Sequence, residues 1–327
     1  MSKAAHMHPT SPTAPLLLNL PSEVTAAIAG RIPAGAMFPF ACASKGCREA
    51  VKTAHAGKLR TTIRSMCASV QLLTWARKKP GPLPLSKELL NAAAAEGDER
   101  VVAFLYGSGF EGDKKTCAIA AKYGRLKVLK FLRAMGCPWD ELTCMYAAEG
   151  GHLDVLKWAR ANSCPWNELS CFEAAEGGHL DVLKWLRDND CPWDERTCAI
   201  SAFGGHLDVL KWLRENDCPW DELTCANAAG GGHLNVLKWV RANGCPWGED
   251  TCAEAAGGGH LYCLQYAHEN GCAWDEDTCA EAALGGHLYC LQYAVKNGCP
   301  WDKDQCAECA AVCDNLDVYA WIRAQPD

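Results

Sequence analysis

Cysteine and histidine recur in this chain at fixed spacing, and both residue types can carry metal or thiol chemistry. Of 22 cysteines, 15 fall in two ladders: Cys117, Cys144, Cys171, Cys198, Cys225, Cys252, Cys279 and Cys306, and Cys137, Cys164, Cys191, Cys218, Cys245, Cys272 and Cys299. Disulfides between equivalent cysteines are disfavoured, because stacked helices lie about 8–10 Å apart and a disulfide needs Cα atoms within about 7 Å. Zinc would use Cys137, Cys144 and His152 of each unit, but the tight pair typical of a four-ligand structural site is missing. The third reading is structural: a free cysteine behaves as a small buried apolar residue. Cys309 and Cys313 stand four apart and could share a helix face, with no histidine beside them. His152, His179, His206, His233, His260 and His287 each follow two glycines. A catalytic role would need a nucleophile or acid placed differently beside one of them, and none is. An imidazole bonded to a neighbouring backbone carbonyl explains the repetition better. No phosphate-binding loop, HExxH, G-x-S-x-G or dinucleotide fingerprint occurs. No cofactor is expected.

The elements that position these residues follow from one period. Cys-Pro-Trp begins at Cys137, Cys164, Cys191, Cys218, Cys245 and Cys299, with Cys-Ala-Trp at Cys272, and every step is 27 residues or a multiple of it. An earlier unit starts at Phe110, a weaker one near Leu83, and Val70–Arg77 resembles half of another. Each unit predicts two short helices. Asp140 and Glu141 suit a helix start; Cys144, Ala147 and Ala148 share a face; Gly150 and Gly151 end it. Leu153, Val155, Leu156, Trp158 and Ala159 mark the second helix, which Asn162 caps, and Gly136, Gly244, Gly271 and Gly298 supply a left-handed residue in other units. Such short helices are not stable alone in water, so stacking must bury them. The tryptophans Trp139 to Trp301 and Trp158 to Trp239 are expected in the core, with a base-stacking platform as the alternative.

The segment Ala147-Ala148-x-Gly-Gly-His-Leu-Asp-Val-Leu-Lys, with Thr143-Cys144 before it, resembles the ankyrin repeat. The ankyrin unit has 33 residues; this one lacks about six, where the β-hairpin would stand, and is similar to the short-unit type of algae, oomycetes and giant viruses. The resemblance implies an all-α, ankyrin-like helical-repeat solenoid over residues 83–325, about nine units, that binds a protein partner. Positions fixed in every unit serve stacking; those that vary are free to recognise. These lie in the first helices and include Met145, Tyr146, Phe172, Glu173, Ile200, Phe203, Asn227, Glu254 and Glu281. A partner would offer a basic patch beside an apolar one; neutral drift on a solvated face is the alternative.

Residues 18–60 do not fit the period. Leu20, Pro21, Glu23, Val24, Ile28, Ile32, Pro33 and Lys45, with Cys42, Ser44 and Arg48, resemble an F-box. Cys47 stands where that family has tryptophan, and Ala41 and Ala43 thin the second helix. The resemblance implies a small helical segment that binds the adaptor subunit of a cullin–RING ubiquitin ligase while the repeats hold a substrate. A helical cap on the first repeat is the alternative. Residues 1–17 are expected to be disordered, and 61–82 a partial repeat or connector.

Charge bounds the partners. The net charge of −7 divides into +12 over residues 1–135 and −19 over 136–327. The acidic half repels phosphates, so no nucleic acid is expected. No apolar run is long enough for a membrane helix, and residues 1–14 lack a secretory pattern. Cytoplasm or nucleus is the expected location, where thiols stay reduced.

Overall fold

The computed structural model describes residues 87–326. The segments 1–17, 18–60 and 61–82, with every F-box-like position from Leu20 to Lys45, lie outside the described residues. Within them the chain forms eighteen short α-helices and no strand. These divide between two compact units. The first takes the described chain up to Ala120 and residues 127–138, the second residues 121–126 and Trp139 onward.

The first unit holds α1 (Lys87–Glu96) and α2 (Glu99–Tyr106), packed together and joined at the Asp98 cap. Helices α3 (Lys114–Lys122) and α4 (Leu126–Ala134) follow. The second unit is a repeat solenoid of seven helical pairs. Its first helices are α5 (Glu141–Glu149), α7 (Leu169–Glu176), α9 (Glu195–Phe203), α11 (Glu222–Gly230), α13 (Glu249–Gly257), α15 (Glu276–Leu284) and α17 (Lys303–Val312). Its second helices are α6 (Leu153–Ala161), α8 (Leu180–Asp188), α10 (Leu207–Glu215), α12 (Leu234–Ala242), α14 (Leu261–Glu269), α16 (Leu288–Lys296) and α18 (Leu316–Arg323). Each first helix packs on the next first helix and on its own second helix.

The sequence accounts for these elements. Asp140 starts α5 by accepting the Leu142 N–H at 3.2 Å, and Asp194, Asp221 and Asp275 repeat the cap. Cys144, Ala147 and Ala148 are fully buried and small, so neighbouring first helices approach closely. Val155, Leu156 and Ala159 form the buried stripe of α6, and the same positions recur down the stack. Asn162 closes α6 through its side chain, donating Nδ2 to the Trp158 carbonyl at 2.8 Å. The left-handed residue is the next one, and it is Ser163, Asp190 or Asp217 where glycine is not used. One column resists the pattern: the hydroxyls of Thr143, Ser170, Thr197, Thr224, Thr251 and Thr278 are buried with no oxygen or nitrogen partner.

The tryptophans depart from the expected core. All those described are half-buried. Trp139 meets Trp158 edge-on at 5.7 Å, and the pairing repeats as Trp166–Trp185, Trp193–Trp212 and Trp220–Trp239. Arg160, Arg187, Arg214 and Arg241 then lie 3.9–4.1 Å from the next tryptophan ring. Trp166, Trp193 and Trp220 thus lie at the edge of the core, each edge-on to a second-helix indole and with an arginine of the preceding unit over it.

Candidate partner-binding face

The Gly-Gly-His motif fixes how first helices line up. His152 Nε2 bonds to the Lys122 carbonyl at 3.0 Å, His179 to Glu149 at 3.0 Å and His206 to Glu176 at 2.8 Å. The histidines therefore tie the end of one first helix to the next unit. The glycines make room for them: a Cβ on Gly150 would lie 2.6 Å from the His152 ring, and one on Gly151 2.7 Å from His179. Asn315 replaces histidine in the last pair and donates to the Leu284 carbonyl at 2.9 Å. These imidazoles are structural bridges. Among the described residues, no three His, Cys, Asp or Glu side chains converge as a metal site.

With the ends aligned, the variable residues fall into two files along the stacked first helices. One runs Tyr146, Glu173, Ile200, Asn227, Glu254, Glu281; the other, three positions on, runs Glu149, Glu176, Phe203, Gly230, Gly257, Leu284. Tyr146, Glu173, Ile200 and Asn227 are half-buried, while Phe203, Glu254 and Glu281 are exposed. Phe172 is half-buried beside the first file, but Met145 is buried and packs inward, so it presents nothing to a partner.

The files differ in chemistry along their length. At the first end, Lys122 pairs with Glu149 at 2.5 Å and lies over the Tyr146 ring at 5.2 Å. Burial, together with the charges of Glu176 and Glu149, pushes the Glu173 carboxyl up to about 7 against the pull of Lys122. Ile200 and Phe203 then form an apolar step. Beyond it, the Glu254 and Glu281 side chains lie over Gly230 and Gly257, since a Cβ there would come within 3.0–3.3 Å of them. Burial, then the neighbouring Glu281 and Asp250 charges, raises the Glu254 carboxyl. The face is thus an acidic, partly desolvated track interrupted by an apolar step.

Two exposed features were missed by a reading restricted to the first helices. Tyr262 and Tyr289 stand 74% and 76% exposed on α14 and α16, where Asp154, Asp181 and Asp208 stand in other units. The change from Asp to Tyr was visible in sequence. The ion pair of Lys122 to Glu149 was not, because it crosses from one unit to the next.

Residues 171–214 match the family profile of ankyrin repeats in many copies. That stretch is similar to ankyrin repeats. The matched stretch covers α7 to α10, and the same pair of helices recurs on either side of it, with His152 before it and His260 after it bonded to a preceding backbone carbonyl in the same way. Among solved structures, the human ASB11 ankyrin repeat domain matches with a TM-score of 0.42 and 16% identity over 56% of this chain and 99% of that one. No curated protein matches the chain. The described repeat units go directly from the second helix to the next first helix, as from Asn162 through Cys164-Pro165-Trp166 to Leu169, with no strand between. No described helix is long and apolar enough to cross a membrane.

Proposed function

We propose that this repeat protein is an ankyrin-type binding scaffold whose partner lies along the first-helix files and presents basic groups beside an apolar one. One observation carries the reading: the residues that vary between units, Met145 apart, line one half-buried to exposed face of the stacked first helices, and the Glu173 and Glu254 carboxyls on it are held above their ordinary range. A cationic partner group relieves that repulsion. Without hairpins, these helices are the surface left to carry recognition. Affinity capture with the full chain tests it. Glu254→Lys with Glu281→Lys should reduce recovery of the captured protein at least about tenfold; unchanged recovery would remove the face from the reading.

The F-box-like residues Leu20, Pro21, Glu23, Val24, Ile28, Ile32, Pro33 and Lys45 support a second part: a substrate-receptor role in a cullin–RING ligase in cytoplasm or nucleus. Recovery of the ligase adaptor by the full chain, lost in a Pro21→Ala/Ile28→Ala variant, is the expected result. Equal recovery by both chains, or none, returns this segment to the role of a cap.

A further inference from the structure

The two cysteine ladders pair in a way that the 27-residue period conceals. From Cys144 to Cys279, the thiol of each first-helix cysteine meets the leading cysteine 20 residues on, as in Cys144 with Cys164, Cys171 with Cys191 and Cys198 with Cys218. Each pair clasps one two-helix unit, and Cys164, Cys191 and Cys218 are fully buried. Cys117 and Cys137 form the same pair in the first compact unit.

That pair alone sits where the repeat plan is broken. From Cys137 onward the third residue of every unit is tryptophan, but in the unit starting at Phe110 it is Gly112. Tyr106 has moved into the space. Its ring meets Phe131 edge-on at 5.9 Å, and its hydroxyl accepts the Gly112 N–H at 2.9 Å. Tyr106 occupies the position at which other units carry the arginine. The replacement is incomplete: a cleft of about 470 Å³ remains, lined by Tyr106, Phe110, Glu111, Met135, Cys137 and Pro138. A Cβ on Gly112 would lie 2.7 Å from both the Cys137 sulfur and the Tyr106 hydroxyl. Gly112 therefore lies against that sulfur, and a side chain there would displace it or cover it.

The Cys137 thiol donates to the Asp113 carbonyl at 3.3 Å, a bond that favours the neutral thiol as the Asp113 charge does, and the Arg133 guanidinium donates to the Cys137 carbonyl; both bonds recur at the leading cysteines of other units. Hydrogen bonding to Cys117 holds the Cys137 thiol below its ordinary value against the cost of burial, helped by the Tyr106 hydroxyl and the Arg133 charge. Burial and the contact with Cys137 push the Tyr106 phenol up to about 12, so it stays protonated and able to donate. Cys245, Cys272 and Cys299 are also held low by their partner thiols, and Cys272 and Cys299 are 5% and 4% exposed against 2% for Cys137, so what sets Cys137 apart is the cleft it lines and not its resting exposure.

We propose that Cys137 and Cys117 form a reversible oxidation site for hydroperoxides, with Cys137 the attacking sulfur and Cys117 the resolving one. The Cys137 sulfur attacks the peroxide; the O–O bond breaks, leaving a sulfenic acid on Cys137 and releasing water or an alcohol. The Cys117 sulfur then attacks that sulfur; the S–O bond breaks, water leaves with the Cys117 proton, and a disulfide forms. Two electrons and two protons pass from the thiols to the peroxide. A dithiol reductant reverses the change.

The test uses the reduced full-length chain, treated briefly with equimolar hydrogen peroxide and mapped by differential thiol labelling and mass spectrometry. A Cys117–Cys137 disulfide should form at least about tenfold faster than oxidation at Cys191, Cys218, Cys272 or Cys299, whose units carry tryptophan at the third position and have no such break in the plan. In Cys117→Ser, Cys137 should accumulate as a sulfenic acid trapped by a dimedone probe. A Tyr106→Arg/Gly112→Trp variant, which restores the plan of the other units, should slow oxidation of Cys137 by a similar factor. Oxidation of Cys137 no faster than that of Cys191 or Cys272 overturns the proposal. So does a sulfenic acid that never resolves to the Cys117 disulfide. Both comparisons are made within one folded chain and do not depend on the variant folding.

Discussion

Glu173 shows how a single side chain can be held out of its ordinary state by its neighbours. Its folded value of about 7 lies above the 4.5 of an unperturbed glutamate, with burial the main cause and Glu176 and Glu149 next. The folded chain therefore holds a proton more tightly than the unfolded chain between those values. The contribution of Glu173 to stability is full below 4.5, is lost as pH rises through about 7 and is level above it. Glu173→Gln removes the titration. Its melting temperature relative to the parent should rise between pH 5 and pH 8; a constant difference would show that Glu173 does not carry the repulsion. Gly151 is constrained more sharply. It holds φ at +70°, and a Cβ there meets the His179 ring at 2.7 Å. Left-handed strain costs a non-glycine residue about 1–3 kcal/mol, and displacement of His179 adds the loss of its bond to the Glu149 carbonyl. Gly151→Ala should cost at least about 2 kcal/mol in urea unfolding. A loss below about 0.5 kcal/mol would show that the ring yields freely.

At the scale of the element, the second helix ends in a stack of planar groups. Arg187 donates to the Cys191 carbonyl at 2.8 Å and lies 3.9 Å from the Trp193 ring, which meets Trp212 edge-on at 5.8 Å. Lysine retains the charge but neither the plane nor the fork, so Arg187→Lys should cost about 1–2 kcal/mol. The chain itself supplies the comparison. His268 takes the same place and stacks on Trp274 at 3.7 Å with rings 12° apart. Arg187→His should therefore retain more stability than Arg187→Lys in thermal unfolding; the reverse order would mean that charge, and not planarity, holds the stack. Much at this scale was legible from sequence. Asp140 and Asn162 announced the ends of α5 and α6 because local capping depends on residues two to four apart. The half-exposed tryptophans were not, since hydrophobicity alone does not tell an indole in the core from one at its edge. Nor was the pairing of Cys144 with Cys164, because alignment on a period compares residues 27 apart and these stand 20 apart.

Across the second compact unit, each helical pair packs only on its neighbours. The buried surfaces offered by successive units are nearly the same: Cys198, Ala202, Leu210 and Leu213 of one unit stand where Cys225, Ala229, Leu237 and Val240 stand in the next. His206 reaches the Glu176 carbonyl as His179 reaches Glu149. A unit removed whole therefore leaves two surfaces that fit each other, provided the cut keeps the register. Deleting residues 191–217, one period from Cys191 to Asp217, brings Cys218 directly after Asp190 and leaves the helix pairs, caps and bridges of the joint intact. Stability in a solenoid is close to a sum of unit and joint terms, and the denaturant slope follows the surface exposed on unfolding. The shortened protein should stay folded, lose helical signal in proportion to α9 and α10, and show a smaller slope. Deleting 24 residues from the same start removes the register and sets helix positions against loop positions, so that chain should lose cooperative unfolding. If both deletions behave alike, the 27-residue unit is not the unit of stability, and the stack depends on contacts that reach beyond nearest neighbours.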